Sequence, residues 1–220
     1  MKKMAVVMVV HDQATEIEQN LQRFLTMPCE TDYEVIVVDD SSTDETPKLL
    51  KQLKSEYPRL YTTFLPKSVV FNPSRLQLAL NLGVKAATKQ ELSQTENSWI
   101  VLADINRPPA SEDWLQKLAD AIDDRHEVLM VYSGRKKVDN MRCQAWKTLE
   151  EAVPLIRKAE RRSGRGHRGK WQKNRRGVYD AIVVCRERAL DVIRLFDQTV
   201  RAKTLWDLRL RVYWKNLHQE

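Results

Sequence analysis

The stretch Glu34-Val35-Ile36-Val37-Val38-Asp39-Asp40-Ser41-Ser42-Thr43-Asp44-Glu45-Thr46 constrains the fold more than any other part of the chain. Four consecutive apolar residues, three of them Val, suit a strand buried on both faces, as in a parallel sheet. They run straight into two carboxylates, then into hydroxyl and acidic residues that suit a helix start. A strand that ends this way delivers acidic side chains to the carboxyl edge of a sheet, where open α/β sheets form their ligand crevice.

The same grammar recurs on either side. Residues 4–10 form a continuous apolar run that ends at His11-Asp12. This run resembles the start of a signal peptide, but it is short and lacks a small-residue cleavage site, so we read it as the first strand. A helix is expected from Thr15, with Ile17, Leu21, Phe24 and Leu25 at helical spacing, ending before Pro28. Ser42 or Thr43 is expected to cap the next helix, which carries Leu49, Leu50 and Leu53 and stops before Pro58. Residues 60–65 read as a weaker strand. A helix then runs from Ser74 to about Lys89, with Leu76, Ala79, Leu80, Leu82, Gly83 and Ala86 on its packing side. Trp99-Ile100-Val101-Leu102-Ala103 is another buried strand, ending at Asp104. A helix over 112–123 and a strand over 127–133 follow. Strand–helix–strand alternation predicts an α/β fold: a mostly parallel sheet with helices on both faces.

The alternation fades after about residue 135. The expected organisation is a core over residues 1–135 and a divergent region over 136–220 that belongs to the same domain. Two stretches stand out there. Residues 157–176 are dominated by Arg and Lys, contain one acid (Glu160), and hold Gly164, Gly166 and Gly169. Residues 206–214 alternate apolar and polar side chains, a strand periodicity that also carries Trp206, Trp214, Arg209 and Arg211.

Composition narrows the class. The chain has 220 residues, 42% hydrophobic and 30% charged, as in a globular protein. No apolar run approaches the ~20 residues that span a bilayer. Cys29, Cys143 and Cys185 are dispersed without metal-ligand spacing, which argues against a zinc site and fits a reducing, cytoplasmic setting. The net charge of +7 is concentrated in residues 157–176, so it points to an anionic partner for one region.

Four motifs in order carry a resemblance: the strand ending in His11-Asp12; Val37-Val38-Asp39-Asp40-Ser41-Ser42-Thr43-Asp44; Ala79-Leu80-Asn81-Leu82-Gly83-Val84-Lys85-Ala86-Ala87; and Trp99 to Pro109, with Asp104-Ile105-Asn106 at its centre. Over residues 1–135 the chain resembles a family 2 glycosyltransferase of the GT-A fold. The resemblance implies transfer of a sugar from a nucleoside diphosphate sugar, most often a UDP-sugar, to a polysaccharide or lipid-linked acceptor, usually with inversion. It further implies that Val10, His11, Asp12, Asp39 and Asp40 line the nucleoside pocket. Arg75 would approach the diphosphate, and Asp104 would grip it through Mg2+ or Mn2+.

The chain departs from the family pattern in two places. Its metal motif reads Asp104-Ile105-Asn106, so a neutral amide stands where the family has a second carboxylate. That substitution lowers the affinity expected for a hard divalent cation. The acidic pair that supplies the family's general base is also missing after Asp124. Among the isolated acids, Asp180 is the first choice, because it borders the strand-like run Ala181-Ile182-Val183-Val184; a base has to reach the acceptor hydroxyl.

Arg165, His167, Arg168 and Lys170 form a basic, glycine-punctuated loop suited to the donor diphosphate or an anionic acceptor. A solvated loop and a nucleic-acid contact are the alternatives, and Trp171 is the single aromatic there to support the latter. The C-terminal Trp and Arg residues suit an edge strand or a peripheral membrane contact at the inner face. Two rival functions remain open at this point: a non-catalytic relative that keeps the nucleotide pocket, and a basic module for nucleic acid or another anionic polymer.

Overall fold

The computed structural model describes residues 2–66, 75–89, 98–106, 109, 111–122, 125–133, 141–154 and 181–195. Among the described residues, seven strands form one sheet: β1 (Lys3–Val10), β2 (Asp32–Asp39), β3 (Leu60–Phe64), β4 (Ser98–Ala103), β5 (Val128–Ser133), β6 (Met141–Trp146) and β7 (Ala181–Cys185), in spatial order β3-β2-β1-β4-β7-β5-β6. The β3-β2-β1-β4 core is parallel throughout. β7 then pairs antiparallel with both β4 and β5, and β6 closes the edge antiparallel to β5.

Both faces are covered. Alternate residues of β1 (Met4, Val6, Met8, Val10), with Val35, Val37, Val101 and Val183, pack under α1 (Ile17–Leu25), α2 (Thr46–Glu56) and α4 (Trp114–Ala121). Their neighbours Ala5, Val7, Ile36, Ile100, Leu102, Ile182 and Val184 pack under α3 (Arg75–Lys89), the helical residues 149–154 (α5) and α6 (Ala189–Leu195). The period-2 side-chain alternation of a strand is what lets continuous Val-rich runs feed two cores at once.

Local chemistry explains the element ends. Tyr33 is buried beneath the end of α1, and its hydroxyl lies 3.0, 3.3 and 2.9 Å from the carbonyls of Phe24, Leu25 and Met27. Those carbonyls would otherwise be stranded at the helix C-terminus. Burial also pushes the Tyr33 phenol above its ordinary pKa. α3 lies close on β1 and β2 because Gly83 has no side chain: a Cβ there would stand 2.5 Å from Val7 Cγ1 and 3.0 Å from Val38 Cγ2.

The expected helices over 15–27, 43–57 and 112–123 are present in slightly shorter form. β6, α5 and α6 were not anticipated, and β7 was anticipated only as a strand-like run. The expected strand over 206–214, the loop over 157–176 and the cap at Ser74 lie outside the described residues. Among the described residues, no helix is long and apolar enough to cross a membrane.

Candidate functional site

β1 is the strand from which the sheet order turns: the chain leaves it through β2 to β3 on one side and returns to its other side with β4. β1 and β4 are paired from Lys3↔Ser98 to Val7↔Leu102, whereas β1 and β2 stay paired to Val10↔Asp39. Past Val7, β1 continues paired with β2 alone, because β4 ends at Ala103. A crevice at the carboxyl ends of strands, at such a switch point, is where α/β sheets take ligands. The ends of β1, β2 and β4 bring Val10, His11, Asp12, Asp39, Asp40 and Asp104 to this edge.

Two loops are bound together there by hydrogen bonds that each sends into the other's backbone. From the loop after β2, Ser42 Oγ accepts the Asp12 amide at 2.9 Å, Thr46 Oγ1 accepts the Gln13 amide at 2.8 Å, and Asp44 Oδ2 accepts the Ala14 amide at 2.9 Å. In return, Asp12 Oδ1 accepts the Thr43 amide at 2.7 Å and the Asp44 amide at 3.3 Å. Asp12 and Ser41 have φ of 47° and 61°. This left-handed conformation is strained for most residues and better tolerated by Asp. Ser42 and Thr43 do not cap α2 as expected. The helix starts later, at Thr46, and Ser42 faces the first loop while the Asp44 carboxylate accepts the Thr46 amide at 2.9 Å.

His11 is buried between the two loops. Its Nδ1 lies 2.8 Å from the Asp40 carbonyl oxygen, and its Nε2 lies 3.1 Å from Asp12 Oδ2. Asp39 is 2% exposed and Asp40 1%. The Ser42 amide donates to Asp39 Oδ1 at 3.2 Å, and the Ser42 hydroxyl forms a short hydrogen bond to the same oxygen. Burial pushes the Asp39 carboxyl above its ordinary pKa, against those two hydrogen bonds and the nearby His11. Desolvation acts on Asp44 in the same sense, but the hydrogen bonds from Thr46 and Ala14 together outweigh it and hold Asp44 below the ordinary range.

On the β4 side, Asp104 is buried and its Oδ1 accepts the Asn106 amide at 2.9 Å. Ile105 turns into the core between them. Arg75 opens α3, but its side chain is outside the described part, as are Asp180, Arg165, His167, Arg168 and Lys170. The sequence pointed to the carboxylates of the edge; it did not reveal Ser42 and Thr46 as ties between two loops. The available signal was an excess: Ser42, Thr43, Asp44 and Thr46 are more capping groups than one helix start uses.

The glycosyl transferase family 2 model matches residues 5–193. The chain belongs to glycosyl transferase family 2. The match extends well past residue 135 and takes in β6, β7 and all but the last two residues of α6. The structure is similar to the mannosyltransferase PcManGT of Pyrobaculum calidifontis, solved with GDP-Man and Mn2+ (TM-score 0.55, 17% identity, 92% of this chain and 49% of that one). It is also similar to 4-diphosphocytidyl-2C-methyl-D-erythritol synthase of Anaerococcus prevotii (TM-score 0.50, 12% identity, 99% of this chain and 96% of that one). These likenesses show the shared GT-A type of α/β fold. An uncharacterized protein of Mycobacterium tuberculosis, Rv1520, is 29% identical over 101 residues, which is 46% of this chain and 26% of that protein. The family 2 chain described here thus spans about a quarter of that relative's length and about half of the Pyrobaculum structure.

Proposed function

We propose that this family 2 chain binds a nucleoside diphosphate sugar, with a UDP-sugar as the first expectation, in the crevice beside β1 and β4. It would transfer the sugar to a hydroxyl of a polysaccharide or lipid-linked acceptor. The observation that carries this reading is the set of buried carboxylates, Asp39, Asp40 and Asp104, held at the carboxyl ends of β2 and β4 on either side of β1. Backbone amides already hold the Asp39 and Asp104 carboxylates in place at this edge, through Ser42 and Asn106. At this edge, Asp39 and Asp40 suit the hydrogen-bond donors of a base and ribose, and Asp104 suits a cation on the diphosphate.

The Asp104 carboxylate and the Asn106 amide together offer hard oxygen donors of the kind Mg2+ and Mn2+ take when phosphate oxygens complete the shell. The hydrogen bond from the Asn106 amide fixes the turn that brings both side chains to the end of β4. These residues therefore fit a divalent cation, and the same-fold Pyrobaculum enzyme was solved with Mn2+ and GDP-Man. When bound, such an ion supplies charge stabilisation to the leaving diphosphate.

In the transfer, an acceptor oxygen forms a bond to the anomeric carbon as the bond from that carbon to the diphosphate oxygen breaks. The acceptor proton passes to a carboxylate, for which Asp180 remains our assignment. Arg75 at the α3 start, and Arg165, His167, Arg168 and Lys170, are proposed to face the diphosphate or an anionic acceptor, where guanidinium forks suit phosphate. Work at the inner face of a membrane on a lipid-linked acceptor fits the cationic excess.

Calorimetric titration with UDP, GDP and their common sugar conjugates, with and without Mn2+, tests the reading. Saturable binding of one nucleotide, lost in Asp39→Ala, is the expected result. Absence of binding to every nucleotide would refute it.

A further inference from the structure

One of the hydroxyls that tie the two loops at the crevice also reaches a strand-end carboxylate. Ser42 Oγ accepts the Asp12 amide from the β1 loop and donates to Asp39 Oδ1 at the end of β2, and the Ser42 amide donates to that same oxygen. A serine hydroxyl has one proton and two acceptor sites, so one donation and one acceptance use it without competition. Ser42 is buried, with 8% of its surface exposed, so this geometry is not shared with bulk water.

We infer that Ser42 is a positioning residue for the donor nucleotide: it touches no ligand itself, but fixes the Asp39 carboxylate in place and ties it to the loop that carries His11 and Asp12. The inference rests on the nucleotide reading of the crevice and adds a residue to it. The sequence offers Ser42 or Thr43 as a helix cap, and the structure gives Ser42 other partners, because α2 begins four residues later at Thr46.

Three observations favour a role in binding over a purely architectural one. Loop-to-loop attachment is already provided by Thr46 on Gln13, Asp44 on Ala14 and Asp12 on Thr43, all through backbone amides. Ser42 alone among these ties reaches a carboxylate that ends a sheet strand. Its two bonds also converge on a single oxygen, which fixes the rotation of that carboxylate and leaves Oδ2 to be aimed by it. Preset acceptors reduce the ordering cost that a ligand would otherwise bear on binding.

The charged state of Asp39 depends on the same contact. Burial favours the protonated acid, and the Ser42 bonds favour the carboxylate. The other ionisable groups facing it are His11 and Asp12 from the β1 loop, with Asp40 adjacent in sequence; these remain in a Ser42 variant. Removing the hydroxyl therefore raises the pH at which Asp39 takes up a proton, and a ligand that needs the carboxylate is lost at that higher pH.

The test is calorimetric titration of UDP and GDP into the full chain across pH 4 to 8, for the unaltered protein, Ser42→Ala, Ser42→Gly and Ser42→Thr, with thermal unfolding of each. The expected result is about a tenfold loss of nucleotide affinity in Ser42→Ala, the scale of one hydrogen bond to a charged group, with the acid limb of binding moved to higher pH. Ser42→Gly should repeat this if Ala distorts the loop, and Ser42→Thr should restore both affinity and the acid limb. Unchanged affinity and an unmoved acid limb in folded Ser42→Ala would overturn the inference and leave the nucleotide reading intact. So would lost affinity with an unmoved acid limb. Failure of the unaltered protein to bind either nucleotide would overturn both.

Discussion

Asp12 and Asp44 each hold the other's loop: Asp12 Oδ1 accepts the Asp44 amide at 3.3 Å, while Asp44 Oδ2 accepts the Ala14 amide, two residues past Asp12, at 2.9 Å. Asp44 also accepts the Thr46 amide at the start of α2. One carboxylate thus serves a helix start and a neighbouring loop. Asp44→Ala is expected to cost about 0.5–2 kcal/mol, the range for a lost cap. Because the folded state holds Asp44 below its ordinary pKa, its contribution is present above about pH 4 and is lost as the pH falls through the lower folded value. Urea unfolding at pH 7 and pH 3 should show the gap between the unaltered protein and the variant narrowing in acid.

Asp39 should behave in the opposite sense. Its raised pKa means that the ionised form opposes folding at neutral pH, and that protonation relieves this as the pH falls through the folded value. Asp39→Asn keeps an oxygen for Ser42 and removes the buried charge. We expect a melting temperature equal to or above that of the unaltered protein, together with a loss of nucleotide affinity of about 10- to 100-fold, as for a charge-assisted hydrogen bond. Differential scanning calorimetry and nucleotide titration on the same sample would read both. A variant that melts well below the unaltered protein would contradict the sign.

Gly83 is where α3 rests on β1 and β2. Ala there would gain about 1 kcal/mol of helix propensity, but its Cβ would meet Val7 at 2.5 Å. Overpacking of that kind costs about 1–3 kcal/mol, so Gly83→Ala should be destabilising on balance, and Gly83→Val more so. Chemical denaturation would measure both. Stabilisation by Ala would show that α3 can retreat from the sheet freely.

Asn106→Asp adds a carboxylate to the end of β4 without removing the backbone amide that donates to Asp104. Cation affinity follows the charge of the ligand set. Mn2+-dependent nucleotide binding should tighten about tenfold, one step of ~1.4 kcal/mol, and Asp104→Ala should abolish the Mn2+ dependence. Titrations with Mn2+ varied at fixed nucleotide would check it; equal Mn2+ dependence in all three proteins would exclude Asp104 from the cation site.

The strands whose both faces are buried were the readable part of this fold. β1, β2 and β4 are apolar runs with an acid at or just past their ends, and each stands where its pattern put it. β6 was hidden because Met141-Arg142-Cys143-Gln144-Ala145-Trp146 mixes its pattern, and among the described residues β5 is its one strand neighbour. β7 could be sensed as an apolar run, but its insertion between β4 and β5 depends on partners remote in sequence. At the site, the acids of the edge were visible by type and position. The side chains that lock the loops were not, because a hydroxyl that ties two loops and a hydroxyl that caps a helix occupy the same place in a sequence.

The insertion of β7 has a consequence during synthesis. All six residues of β4 are buried, yet the neighbour on its far side arrives only after residues 104–180 have been made. Until then, one edge of an apolar strand has no pairing partner, and unpaired strand edges invite association with other chains. β5 and β6 can pair with each other early, but β7 is the strand that joins them to β4. A nascent chain stalled before Ala181 would hold a half-sheet and a detached hairpin, and its tendency to aggregate would end with the emergence of five residues.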